Sequence, residues 1–334
     1  MRKQISFLIG LLLCAGSSPF GRVEAATTLQ GNVVSSSNYA TTLGMYSFTA
    51  ESPVTMTPLF TDANVSANGD GVYVDGKFYR MTYVSYGSIM MVYYYTYDAT
   101  SWELTYSSLP SVGKWSDISI ASTYDKTTGT VYCCTYNDTQ SSFLLRTWDL
   151  VGERKTTIAD VGTGYIALAV DATGQLLGID PDGKLYKIDK SNGAATLVGN
   201  TGFDPSGMQS ATFDEKSGKL YWFAYNNESS RLYEVNTETA QLTLVSELPD
   251  MAEVIAAYVP KAEAEDKAPA KVSDLSLNFP EGALSGSVSF TVPTTLFDGS
   301  PMTGTVGYSI SVNDNEVVSR TGIQPGASVN ETVQ

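Results

Sequence analysis

Phe213-Asp214-Glu215-Lys216-Ser217-Gly218-Lys219-Leu220-Tyr221 decides how this chain is read, because its plan recurs. An apolar residue precedes an Asp, a few polar residues lead to a Gly, and an apolar pair follows. The plan returns as Val74-Asp75-Gly76-Lys77-Phe78-Tyr79, as Tyr124-Asp125 through Gly129 to Tyr132, and as Val170-Asp171 through Gly174 to Leu177. The glycines fall at 76, 129, 174 and 218, in steps of 53, 45 and 44 residues. Short-stranded repeats of that length predict a β-propeller in which each repeat is one four-stranded blade. Asp accepts backbone N–H groups and Gly adopts positive φ, so the pair marks the turn between the first and second strands of a blade.

Around each turn the remaining strands can be read. Inner strands precede the Asp: Ile118 to Ser122, Ile166 to Val170 and Met208 to Phe213, rich in small residues that suit a crowded centre. Lys219 to Tyr225 follows the Gly with β-branched and aromatic residues. An outer hairpin repeats as Gly183 to Asp189 with Ala195 to Val198, and as Ser230 to Asn236 with Gln241 to Val245; Met91 to Leu109 and Phe143 to Val161 follow it more loosely. At the array's ends, Leu29 to Ser35, Met45 to Ala50 and Val54 to Leu59 lack an inner strand, which Val254 to Val259 supplies. Both ends together then build one blade and close a ring of five, six being the alternative count, with no open sheet edge.

The ends of the chain bound its setting. Arg2 and Lys3, apolar Ile5 to Leu13, and Val23-Glu24-Ala25 read as an export signal over residues 1–25, cleaved before Ala26. Cys14 after Leu11-Leu12-Leu13 offers a lipid anchor as the lesser alternative. The apolar run is too short to span a bilayer. Losing Arg2, Lys3, Arg22 and Glu24 moves the net charge from −15 to −17, which repels phosphate backbones and anionic lipid, so no nucleic acid partner is expected; no later stretch is long and apolar enough for an integral span.

Histidine is absent, which removes Ser-His-Asp and Cys-His nucleophile systems and imidazole–zinc sites. Cys133 and Cys134 are adjacent and point to opposite faces of a strand, so small buried packing residues are expected rather than a disulfide or a redox pair. The Tyr93-Tyr94-Tyr95 cluster with Tyr97 is read chiefly as blade packing on the same alternation.

Residues 26–259 form the predicted propeller and the charged, Pro-flanked segment 260–271 a linker. Residues 272–334 form a second β unit, with strands at Val272 to Leu277, Gly286 to Val292 and Gly307 to Val312 and turns at Pro293 to Thr303 and Asn313 to Glu316. Ala268-Pro269-Ala270-Lys271-Val272-Ser273-Asp274-Leu275 opening a strand and Phe290-Thr291-Val292-Pro293 closing one resemble the start of a fibronectin type III or related immunoglobulin-like module. The segment is shorter than the roughly 100 residues of such modules, which implies a partial one. A leader, a propeller and such a module together resemble secreted or surface proteins of Bacteroidetes-type bacteria. That resemblance implies an exported, extracellular or outer-membrane-surface protein serving adhesion or binding, with a glycan or a surface protein as partner.

Propellers usually bind on the face opposite the Asp–Gly turns, where the inter-blade loops gather. Trp115, Asp117, Tyr165, Asp204 and Gln209 stand there at the mouths of inner strands and are the candidate ligand-binding residues. No catalytic set is expected. The competing reading is a carboxylate- or calcium-dependent hydrolase of glycans, with Asp117 and Asp204 as the acid pair. The Ser-x-Asp-x-Gly-x-x-Trp boxes of sialidase-type chains do not occur. No cofactor is expected; Asp180-Pro181-Asp182-Gly183 resembles the opening of a calcium loop without the Glu that would complete it, and Asn68-Gly69-Asp70-Gly71 reads as a turn first and a calcium site second.

Overall fold

The computed structural model of this chain describes residues 9–14, 26–37, 41–61, 69–86, 89–108, 111–113, 118–137, 141–260, 269–281, 285–296, 299–312 and 315–333. Two compact units emerge, Ala25–Pro260 and a unit made of residues 1–24 with Lys261–Gln334.

Ala25–Pro260 is a β-propeller of five blades among the described residues. Blade 1 is built from Gly69–Val74, Lys77–Tyr86, Ile89–Asp98 and Leu104–Ser107, with Ser111–Gly113 added beside the third strand. Blade 2 runs through Ser119–Asp125, Thr130–Asn137, Ser142–Asp149 and Arg154–Gly162. Ala167–Val170, Leu176–Ile179, Lys184–Ile188 and Ala195–Asn200 form blade 3; Ser210–Asp214, Lys219–Asn226, Ser229–Val235 and Leu242–Glu247 form blade 4. Blade 5 takes its inner strand, Glu253–Tyr258, from the end of the array, and Thr28–Ser35, Gly44–Thr49 and Met56–Phe60 from its start, in register Asn32↔Ile255. Each inner strand packs beside the next, and Glu253–Tyr258 lies beside both Ser210–Asp214 and Gly69–Val74, so the ring closes.

The strand alternation that defines a blade also defines the interfaces. Leu185 of blade 3 meets Trp222 and Val235 of blade 4; Phe223 and Leu232 of blade 4 meet Leu29 and Phe48 of blade 5. Met45 and Ile255 of blade 5 meet Phe78 and Tyr97 of blade 1, and Met81 and Val92 of blade 1 meet Val131 and Trp148 of blade 2. Leu145 of blade 2 meets Leu168 and Leu176 of blade 3. Each fully buried aliphatic or aromatic side chain contributes about 1.5–3 kcal/mol, so the ring is held by five apolar seams. Cys133 faces blade 1 and Cys134 faces blade 3; both are buried free thiols that burial pushes up to about 12. Tyr93, Tyr95 and Tyr97 line up on one face at 6.3 and 6.4 Å between centroids, while Tyr94 turns to Trp148 on the other.

A register shift recurs between third and fourth strands, at Leu145/Arg146, Leu185/Tyr186, Leu232/Tyr233 and Met45/Tyr46. These bulges twist the outer edge of the blade away from further pairing. In blade 1 the second and third strands, Lys77–Tyr86 and Ile89–Asp98, stay paired through Tyr86↔Ile89. The β-branched and aromatic content of that stretch carries the ladder to its end.

The second unit contains two three-stranded sheets, one of Ser276–Asn278, Gly286–Thr291 and Ser328–Val333, the other of Ile9–Cys14, Val306–Val312 and Asn315–Ile323. Val288, Phe290, Tyr308, Ile310 and Val318 share its core. Asn315–Ile323 and Ser328–Val333 are strands that the sequence reading left unassigned; their exposed faces are polar and mixed, which hides the period-2 pattern. Among the described residues no helix is long and apolar enough to cross a bilayer.

Candidate functional site

All five inner strands run toward the same face of the ring, the face of the Asp–Gly turns. The turns of blades 2 to 4 are closed the same way, while in blade 1 Asp75 and Gly76 form a two-residue turn between Val74 and Lys77. Asp125 accepts Thr127 N–H at 2.9 Å while Gly129 N–H donates to its carbonyl at 2.8 Å. Asp171 accepts Thr173 N–H and Asp214 accepts Lys216 N–H, at 2.8 and 3.0 Å. Gly129, Gly174 and Gly218 take φ of 69°, 84° and 70°, the left-handed region the turn requires. Two of these acids also pin the next blade. Lys190 of blade 3 donates to buried Asp125 at 2.6 Å, and Thr27, leading into blade 5, donates to Asp214 at 2.8 Å. Burial pushes Asp125 up, yet Lys190, Thr127 and Thr128 outweigh it and hold the carboxyl at about 2. Asp214 is lowered too: its hydrogen bonds from Ser217, Thr27 and Lys216 overcome burial. Asp125, Asp171 and Asp214 are therefore committed to the scaffold.

A second Asx column, absent from the sequence reading, closes the outer hairpins. Asp98, Asp149, Asp189 and Asn236 accept N–H groups from Ser101, Gly152, Ser191 and Thr239 at 2.8–3.0 Å. Aligning the outer turns of successive repeats would have exposed it.

At the turn-face end of the channel lies a cavity of about 60 Å³, lined by residues from all five blades. Tyr73, Tyr124, Phe213 and Tyr258 supply rings; Ser122, Thr123 and Thr212 supply hydroxyls. Tyr73 and Tyr258 stack on each other at 4.5 Å, and burial raises the Tyr258 phenol, which donates to Gln30 Oε1. Tyr124 is raised chiefly by burial, with Asp75 and Asp125 adding to it. Lys126 and Glu215 stand on the rim and form an ion pair at 3.1 Å. Beneath the cavity, buried Asp70 accepts the hydroxyls of Ser119 and Ser122, both at 2.5 Å. The fully buried Arg80 donates to the Asp70 carbonyl at 2.7 Å and to that of Met81 at 2.8 Å; burial draws its guanidinium down to about 10 against the pull of Asp70.

The residues singled out from the sequence do not share one place. Trp115 and Asp117 lie outside the described residues. Tyr165 is buried between blades 2 and 3, edge-on to Tyr186, with its N–H donating to Cys134 Sγ; burial first, then Cys134, pushes its phenol up to about 12. Gln209 is buried at the start of blade 4's inner strand; its Nε2 donates to the carbonyls of Ser206 and Tyr225, and its Oε1 has no partner among the described residues. Asp204 is exposed and its carbonyl accepts Asn226 Nδ2 at 3.3 Å. Asp180 accepts Asp182 N–H, Lys184 N–H and the Tyr186 hydroxyl, and Asp182 pairs with Lys184, so the stretch resembling a calcium loop is a closed turn. Of the other candidate calcium stretch, Asn68 lies outside the described residues and Gly69 to Gly71 belong to blade 1's inner strand.

This arrangement defines an all-β propeller with a small ring-lined cavity at one end of its channel. No family model matches the sequence, and no curated protein matches it. Among solved structures, similar chains include a putative 6-phosphogluconolactonase from Bacteroides uniformis ATCC 8492, at 11% identity and a TM-score of 0.42, covering 93% of this chain and 100% of that one. A chain of a nidogen/laminin complex has 11% identity and a TM-score of 0.40, with 77% and 98% covered. TolB from Acinetobacter baumannii has 8% identity and a TM-score of 0.39, with 90% and 65% covered. Likenesses of this size transfer no activity.

Proposed function

We propose that this chain is an exported, non-catalytic binding or adhesion protein of a bacterial surface, with a glycan or a surface protein as ligand, and that its second unit is a fibronectin type III-like module. The observation that carries the reading is the make-up of the channel end: rings and hydroxyls converge there, while Asp125, Asp171 and Asp214 of the neighbouring turns are consumed by their own backbone and, for Asp125 and Asp214, by the next blade. A glycoside hydrolase needs two carboxylates facing one bond, and among the described residues the cavity lining contains one, Glu215, already paired with Lys126. Aromatic faces beside hydroxyls suit a polyhydroxylated ligand, which buries C–H faces against rings and satisfies its hydroxyls with side chains.

Export rests on the leader-like residues 1–25. Ile9–Cys14 pairs with Val306–Val312, Ile9↔Val312 to Cys14↔Gly307, so cleavage after Ala25 removes a strand from that sheet. N-terminal sequencing of secreted protein is expected to begin at Ala26. A glycan array, run with and without calcium, tests the ligand class: calcium-independent retention of a glycan without its hydrolysis supports the reading, and release of reducing ends contradicts it.

A further inference from the structure

In blades 2 to 4 the position after the repeated Asp is Lys126, Ala172 and Glu215, whereas in the shorter turn of blade 1 the repeat's own Gly76 follows Asp75 directly. Blades 2 and 4 are not neighbours in the ring. Their opposite charges at one equivalent position reach each other at the channel end at 3.1 Å. Both side chains are about half exposed, at 59% and 46%, and such a pair adds at most about 1 kcal/mol to stability. What it does is frame the opening. Below it, Tyr124 and Phe213 are half-buried and Ser122 and Thr212 line the wall, with the Ser122 hydroxyl fixed by buried Asp70.

Size and charge narrow the occupant. A cavity of about 60 Å³ holds several waters, at roughly 10–15 Å³ each by this measure. That suits one sugar ring and not the interior of a chain. The charges of Lys126 and Glu215 cancel, in a protein whose formal net charge is −15, so a charged ligand would have to break the pair and leave one member uncompensated.

We propose that this end of the channel binds the single terminal residue of a neutral glycan, entering end-on, with Lys126 and Glu215 as the contacts that select against charged sugars. The proposal rests on the glycan branch of the binding function above and adds to it the face, the number of sugar residues and the charge.

The test uses saturation-transfer NMR on the full chain with the methyl glycosides of glucose, galactose, mannose and N-acetylglucosamine, and of glucuronic acid and glucosamine as charged controls. At least one neutral glycoside is expected to bind, and Phe213→Ala is expected to weaken it about tenfold through the loss of a stacking face. Lys126→Ala combined with Glu215→Ala leaves the fold intact, since both groups are exposed, and is expected to narrow the preference for neutral over charged glycosides several-fold. Binding of an arrayed glycan with no response from any neutral methyl glycoside, or with affinity unchanged in both variants, overturns this proposal while leaving the binding function standing. Absence of binding to every glycan overturns both the proposal and the glycan branch of that function.

Discussion

The two ends of the channel are made from the same five inner strands, yet they use their polar residues in opposite ways. At the end where those strands begin, Asp70, Ser119 and Gln209 are buried and tied into the scaffold, and Glu253 accepts Met208 N–H at 2.7 Å. At the end where they finish, the acids of blades 2 to 4 close their turns and the residue after each varies, which places Lys126 and Glu215 on an open rim. A repeat thus fixes backbone at one position and releases chemistry at the next. Regularity at the turns is compatible with a site there, because the site uses the positions that break the repeat.

The largest effect is expected at the buried end. Asp70→Ala removes the acid whose charge offsets Arg80 and the acceptor for Ser119 and Ser122. Loss of one member of such a buried charged set costs about 3–5 kcal/mol, which equilibrium denaturation would read as a large drop in midpoint or as failure to fold.

At the turn end, Asp125→Ala loses a turn acceptor and the Lys190 pin together, a cost of about 1–3 kcal/mol. Asp171→Ala, whose carboxylate serves its own turn, is expected to cost about 1 kcal/mol. Equal losses at the two sites would remove the distinction between a turn acid and a blade pin.

Acid should act on the same groups. Asp125 sits at about 2 when folded against 3.8 when free, so its stabilisation is complete above about pH 4 and is lost as pH falls toward 2. Asp214, Asp98 and Asp189 are shifted in the same direction. The thermal midpoint is therefore expected to be flat from neutrality to about pH 4 and to fall below it. Asp125→Asn should flatten part of that fall.

The smallest effect belongs to the rim. Lys126→Ala with Glu215→Ala is expected to move stability by under about 0.5 kcal/mol, measured by the same denaturation, so that any change in binding can be assigned to the site and not to the fold.

The turn Asp and Gly, the blade that takes strands from both chain ends, and the opposed faces of Cys133 and Cys134 were all legible in the sequence, because each follows from a local rule of turn chemistry or strand alternation. The full length of Lys77–Tyr86 was not, since the end of a ladder depends on its partner strand. The channel end was hidden for a related reason. Lys126 and Glu215 are far apart in sequence and meet through blade geometry, and only the column Lys126, Ala172, Glu215 carries a trace of it. Tyr165 was singled out for its place at the mouth of an inner strand, and only packing reveals that its ring is buried beside Tyr186.

The most direct measurement sets the two ends of the channel against each other. Affinity for a glycan recovered from the array would be compared in Phe213→Ala, at the turn end, and in Asp204→Ala, at the inter-blade end. Phe213→Ala is expected to lose about tenfold in affinity and Asp204→Ala to change by less than about twofold. A loss confined to Asp204→Ala would contradict that expectation and move the site to the other end of the channel.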